Sequence, residues 1–78
     1  MYMKEILADV LVFKTDIEEA RDLENVAAAI RREPRIRKWN VDQDDVDNVL
    51  RVEAERISPM KVKILIHSAG YHCEELPD

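Results

Sequence analysis

Gly70 is the only glycine in this chain, and its prolines stand at 34, 59 and 77. Glycine frees the backbone and proline fixes φ and removes a donor, so these residues are the strongest local breaks in regular structure. A chain of 78 residues with so few breaks must fold as a small number of uninterrupted elements. Pro34 ends the element before it, Pro59 opens the one after it, and Gly70 closes that one.

Between these breaks the hydrophobic period alternates. Residues 8–14, Ala8-Asp9-Val10-Leu11-Val12-Phe13-Lys14, form a short β-branched and aromatic run that reads as a strand. Val10 and Val12 point to one face, Leu11 and Phe13 to the other. Both faces are apolar, which places this strand inside a sheet and makes any uncovered face sticky. Over residues 18–33, Leu23, Val26, Ala27 and Ile30 form one helical stripe. Thr15 or Asp16 is expected to cap this helix, with Glu18 and Glu19 in its first turn.

Residues 35–42 read as a second strand with Trp39 and Val41 on one face. Residues 43–47 make an acidic turn. Residues 48–56 make a third strand, with Leu50, Val52 and Ala54 on one side and Val49, Arg51 and Glu53 on the other. The short link predicts a hairpin. Residues 59–69 satisfy both a strand alternation and a helical stripe through Val62, Leu65, Ile66 and Ala69. Ser58 as N-cap, Pro59 at the first helical position and Gly70 as the stop decide for helix. Tyr71 to Leu76 is a last short strand.

The order β-α-β-β-α-β predicts an α+β fold, a ferredoxin-like sandwich with a four-stranded antiparallel sheet and two helices on one face. Residues 1–78 read as a single domain with its core at about 8–76. A body this small buries only about 60% of its unfolded surface, so a second chain packed against it would help. A homo-oligomer or a contact with another protein is therefore expected. The second strand lies at a sheet edge, where unpaired backbone groups invite another chain. Trp39 is the first aromatic candidate for such contacts, with Phe13 and Tyr71 the others; the apolar slot of Trp39 also suits a core position.

The net charge of −5 opposes nucleic-acid binding. Arg31, Arg32, Arg35, Arg37 and Lys38 cluster where the first helix should end and read as cations at its negative pole. Cys73 is the sole cysteine, so no intrachain disulfide forms. The stretch Met1–Asp9 carries acids before any long apolar run and does not read as a signal peptide. No run approaches the roughly 18 apolar residues of a membrane span. A cytoplasmic location and no membrane partner are expected.

The order and landmarks together resemble the heavy-metal-associated domain of copper chaperones and metal-pumping ATPases, over about residues 10–76. Pro34-Arg35-Ile36-Arg37-Lys38-Trp39-Asn40-Val41-Asp42 resembles that family's Pro-Gly-Val-x-x-Val-x-Val-Asp, with Ile36, Trp39 and Val41 in the apolar slots. Val49-Leu50-Arg51-Val52 resembles its third strand, and Ala69-Gly70-Tyr71 its Ala-Gly-Tyr. The family's loop Gly-Met-Thr-Cys-x-x-Cys is where the chain departs. Counting back from Pro34 puts Ile17 in the methionine slot, where it would keep the packing role, and Glu19 and Asp22 in the cysteine slots. Counting forward from the first strand puts Thr15 in the threonine slot and Asp16 and Glu19 in the cysteine slots. The counts differ by three residues, and both remove the cysteine pair.

Soft Cu(I) prefers thiolates, and structural zinc also leans on sulfur. Carboxylates at Asp16, Glu19 or Asp22 would favour hard cations and make a weak site. His72 and Cys73 are adjacent, and adjacent strand residues point to opposite faces, which hinders joint ligation. Free cysteine is usually a buried small hydrophobe. No metal ligand set and no cofactor are expected. Asp42, Asp44, Asp45 and Asp47 fail the spacing of a calcium loop and read as a solvated turn. One glycine cannot build a phosphate loop, and no nucleophile–base pair stands out, so no enzyme is expected. The sequence reads as a binding module that has lost soft-metal binding and acts through protein contacts or self-association. The alternative is a metal carrier with altered carboxylate, His or Cys ligands, and fold analogy adds a small-ligand sensor as a third reading.

Overall fold

A computed structural model describes residues 9–76. Ala8, the N-terminal stretch before it and Pro77 lie outside the described residues. The elements are β1 (Asp9–Thr15), α1 (Ala20–Ile30), β2 (Ile36–Asp42), β3 (Val49–Ala54), α2 (Pro59–Ser68) and β4 (Cys73–Glu75). The strands form one sheet in the order β2-β3-β1-β4, and each neighbouring pair is antiparallel. This is the expected ferredoxin-like sandwich, with β2 at an edge.

Register decides which face is the core. Phe13 lies opposite Leu50, and Leu11 opposite Val52, in the β1–β3 pair. Residues directly opposite share a face. Phe13, Leu50 and Val52 are wholly buried under Val26 of α1 and Val62 and Ile66 of α2. The structure thus corrects the expectation that Phe13 is a contact residue: at 0% exposure it is core and presents nothing to a partner. The open face carries Val10, at 53% exposure, with Val12 half-buried beside it.

On β2 a register shift between Ile36 and Lys38 changes the alternation. Ile36 lies opposite Ala54, Trp39 opposite Val52 and Val41 opposite Leu50. The bulge is what lets three apolar residues at spacings of three and two share one face. Trp39 and Val41 are partly buried and pack against the core.

The helices follow their punctuation. Ser58 caps α2, its Oγ accepting the Lys61 N–H at 3.2 Å, with Pro59 as the first helical residue. Gly70 adopts φ +100. Its N–H donates to His67 O at 2.9 Å and that of Tyr71 to Ile66 O at 3.2 Å, the paired bonds of a left-handed helix stop. α1 is shorter than expected. Its N-cap is Glu19, neither Thr15 nor Asp16, and Arg31 already stands at its C-cap.

The basic cluster is also explained differently. No basic residue lies in the last turn of α1. Arg35 instead grips Glu33, Nε to Oε2 at 3.0 Å and Nη2 to Oε1 at 3.1 Å. Arg37 Nε lies 3.1 Å from Glu55 Oε2, a buried oxygen with no hydrogen-bond partner. Arg35 and Arg37 are neutralised by carboxylates in the turn and just after β3, because α1 ends at Ile30, before both. No helix among the described residues is long and apolar enough to cross a membrane.

Candidate functional site

Three connections meet at one end of the sheet: residues 16–19 after β1, residues 43–48 between β2 and β3, and residues 69–72 after α2. Thr15 begins the junction. Its N–H donates to Asp47 O at 3.0 Å, its Oγ1 donates to Asn48 O at 2.6 Å, and the same oxygen accepts the Ile17 N–H at 3.2 Å. Gln43 Nε2 donates to Glu18 O at 2.6 Å. Asn48 holds φ +44, a left-handed position that asparagine tolerates.

Ile17 is fully buried; the count back from Pro34 puts it in the methionine slot. On that register Glu19 and Asp22 occupy the two cysteine slots. Asp22 sits three residues after the N-cap and turns back on the helix start. Its Oδ2 accepts the N–H of Glu18 at 3.1 Å and of Glu19 at 3.0 Å, satisfying donors that a helix start leaves orphaned. Its Oδ1 accepts the Tyr71 hydroxyl at 2.9 Å. These backbone bonds from Glu19 and Glu18, then the Tyr71 bond, hold the Asp22 carboxyl below its ordinary value of 3.8.

Tyr71 is the counterpart. Asn25 Nδ2 donates to its oxygen at 2.9 Å. That donation lowers the phenol pKa, but burial, the bond to Asp22 and the charges of Asp22 and Asp16 outweigh it, and the net shift is upward. Asn25 was invisible from sequence as part of a site. The available signal was its i, i+3 spacing from Asp22, which puts both side chains on one helix face.

Asp16 closes the junction from the other side, its Oδ1 accepting the His72 N–H at 2.9 Å. The His72 ring points elsewhere, with Nε2 2.7 Å from Glu74 Oε2. Cys73 pairs with Thr15 across the sheet, is fully buried, and burial pushes its thiol up to about 12. Glu19 is exposed. Of the sequence candidates, Asp16, Asp22, Tyr71 and the His72 backbone are brought together; Cys73 and the His72 ring lie apart from them. Among the described residues, no three His, Cys, Asp or Glu side chains converge on a point that would hold a metal ion.

The acidic turn uses its carboxylates locally: Asp42 Oδ1 accepts the Asp44 N–H at 3.1 Å and Asp45 Oδ1 the Asp47 N–H at 2.8 Å, as the turn reading expects. Two shallow clefts flank the junction. One, of about 230 Å³, lies between the helices beside Asn25 and Arg32. The other, of about 220 Å³, lies on the open sheet face beside Asp42 and Arg51. Both fall below the roughly 300–1,000 Å³ of small-ligand pockets.

The fold and this loop-closed end define a class: small βαββαβ domains whose β1–α1 loop faces the α2–β4 connection. Within that class the structure is similar to heavy-metal-associated domains. The N-terminal domain of ZntA in its apo-form superposes with a TM-score of 0.76 at 18% identity, over 91% of this chain and 96% of that one. The N-terminal domain of PacS from Synechocystis PCC6803 gives 0.76 at 18%, over 90% of this chain and all of that one, 100%. The yeast copper transporter domain Ccc2a, solved in apo and Cu(I)-loaded states, gives 0.75 at 16%, over 92% and 99%. The sequence itself matches no family model and no curated protein. The likeness therefore lies in the fold, as the resemblance in the sequence implies.

Proposed function

We propose that this chain is a non-enzymatic binding module on a heavy-metal-associated scaffold that has lost soft-metal binding and acts through protein contacts. The observation that carries the reading is the commitment of Asp22. Asp22 takes a cysteine slot on the count back from Pro34, and its two oxygens accept two backbone N–H groups and one phenol. A cation entering there would have to displace bonds that hold the helix start. The donor set does not suit a soft ion either. The only thiol is buried, and a thiol pushed up to about 12 stays protonated at neutral pH, whereas metal ligation needs the thiolate. The half-buried Trp39 on an edge strand and the exposed Val10 support contacts with protein partners.

Calorimetric titration with Cu(I), Zn²⁺ and Ni²⁺ tests the reading. No binding tighter than about millimolar, roughly −4 kcal/mol, is expected. Micromolar or tighter binding of Cu(I) or Zn²⁺ would overturn it. The second reading is a metal carrier with altered ligands among Asp16, Glu19, Asp22, His72 and Cys73. It is favoured by neighbours described in Zn(II) and Cu(I)-loaded forms. The same titration decides, because a carrier must hold its ion more tightly than that.

A further inference from the structure

We infer that β2 is a self-recognition edge: two copies of this chain pair antiparallel through it, centred on Asn40. The inference rests on reading the protein as a contact module, and names the contact. Among the described strands β2 is outermost on its side of the sheet, so one row of its backbone groups faces away from β3. Such an edge is a template for another strand.

What selects a second copy is the polarity of charge along the strand. Lys38 stands near its start and Asp42 at its end. Both are exposed, both lie on the open sheet face, opposite Glu53 and Val49, and neither is in an ion pair among the described residues. An antiparallel pair centred on Asn40 sets Lys38 opposite the partner's Asp42, twice by symmetry. On the helix side it sets Trp39 opposite the partner's Val41, also twice. Both are half-buried in one copy, so pairing covers apolar surface already beside the core. Asp44 and Asp45 after the strand add to its acidic end, while Arg35 before it and Arg37 within it are held by Glu33 and Glu55, which leaves Lys38 as the basic partner. A parallel pair would stack like charge on like.

Lysines and bulges on an edge normally deter pairing. Here the bulge lies between Ile36 and Lys38, at one end, and leaves the run from Lys38 to Asp42 in regular register. The lysine that would repel a neutral strand is matched by an aspartate at the right offset. Five paired residues make a small interface, so the equilibrium is weak and concentration-dependent rather than a permanent dimer. High salt weakens it, since the pairs are exposed.

Sedimentation equilibrium on the full chain, from micromolar to millimolar concentration, tests this with Lys38→Glu and Asp42→Lys. The wild type is expected to show a monomer–dimer equilibrium. Each reversal puts like charges opposite each other at both sites and should weaken dimerisation roughly tenfold or more. An equimolar mixture of the two variants restores opposite charges at both sites and should regain association. Circular dichroism confirms that the variants fold. A wild type that stays monomeric, reversals without effect, or a mixture that fails to regain association would each overturn the inference. None of these bears on metal binding, and tight metal binding would overturn the proposed function without touching this edge.

Discussion

The Tyr71 hydroxyl donates to Asp22 Oδ1 at 2.9 Å, joining residues 49 positions apart. The bond ties the start of α1 to the turn after α2, across the mouth of the β1–α1 loop. Gly70 makes it available, because its left-handed stop swings Tyr71 back over α1.

Removing the hydroxyl alone should loosen that tie. In Tyr71→Phe the ring still packs, while Asp22 loses an acceptor bond and Asn25 its partner. The melting temperature is expected to fall by on the order of 5 °C. The Asp22 pKa should rise towards its ordinary value, read by carboxyl-carbon NMR titration. An unchanged Asp22 titration would mean the bond is not made in solution.

Acid stability should report two carboxylates. Asp22 and Glu33 both titrate below their ordinary values of 3.8 and 4.5, Asp22 through backbone N–H groups and Glu33 through Arg35. As pH falls, the unfolded chain takes up protons first. Their stabilisation is complete above those ordinary values and is lost as pH falls through the lower folded-state values. Urea midpoints between neutral and strongly acidic pH should drop in that window, and Asp22→Asn and Glu33→Gln should each flatten the drop.

Ile17 distinguishes a packing role from a site role. At 0% exposure, Ile17→Ala should cost about 2–5 kcal/mol. Ile17→Met nearly conserves volume and should cost less than about 1.5 kcal/mol. Chemical denaturation of both variants checks this, and equal losses would contradict it.

Cys73 should behave as an inert core residue. A thiol pushed up to about 12 is protonated at neutral pH, and no probe reaches it in the folded chain. Reaction with a thiol reagent is expected to be slow in buffer and fast in denaturant. Since its folded pKa exceeds the ordinary 9.0, its contribution to stability is complete below that value and falls as pH rises through it.

Gly70→Ala isolates a conformational cost. A Cβ there would meet nothing within 4 Å, but φ is +100. The substitution should destabilise by about 1–2 kcal/mol, checked by thermal melting, and should weaken the Tyr71–Asp22 tie that depends on the same turn.

The sequence is most legible where a local interaction decides the conformation. Ser58-Pro59 starts α2 and Gly70 stops it, because caps and stops bond within one turn. It is least legible where a side chain has distant partners. Thr15 and Asp16 looked like caps for α1, yet Thr15 is claimed by Asn48, 33 residues on, and Asp16 by His72, 56 residues on. The start fell to Glu19, an unusual N-cap supported from inside the helix by Asp22. Phe13 and Val10 were equivalent by pattern, since both faces of β1 are apolar, and only the docking of two helices made one face core.

By itself, then, the sequence determined the order of elements, the edge position of β2 and the absence of the cysteine pair, since these depend on period, punctuation and residue type. Tertiary structure decided which face of the sheet is buried, where α1 begins, and that Asp22 is spent on Tyr71 and the helix start. Those outcomes depend on competition among partners far apart in the chain, and such partners meet only once the sheet has closed under its helices.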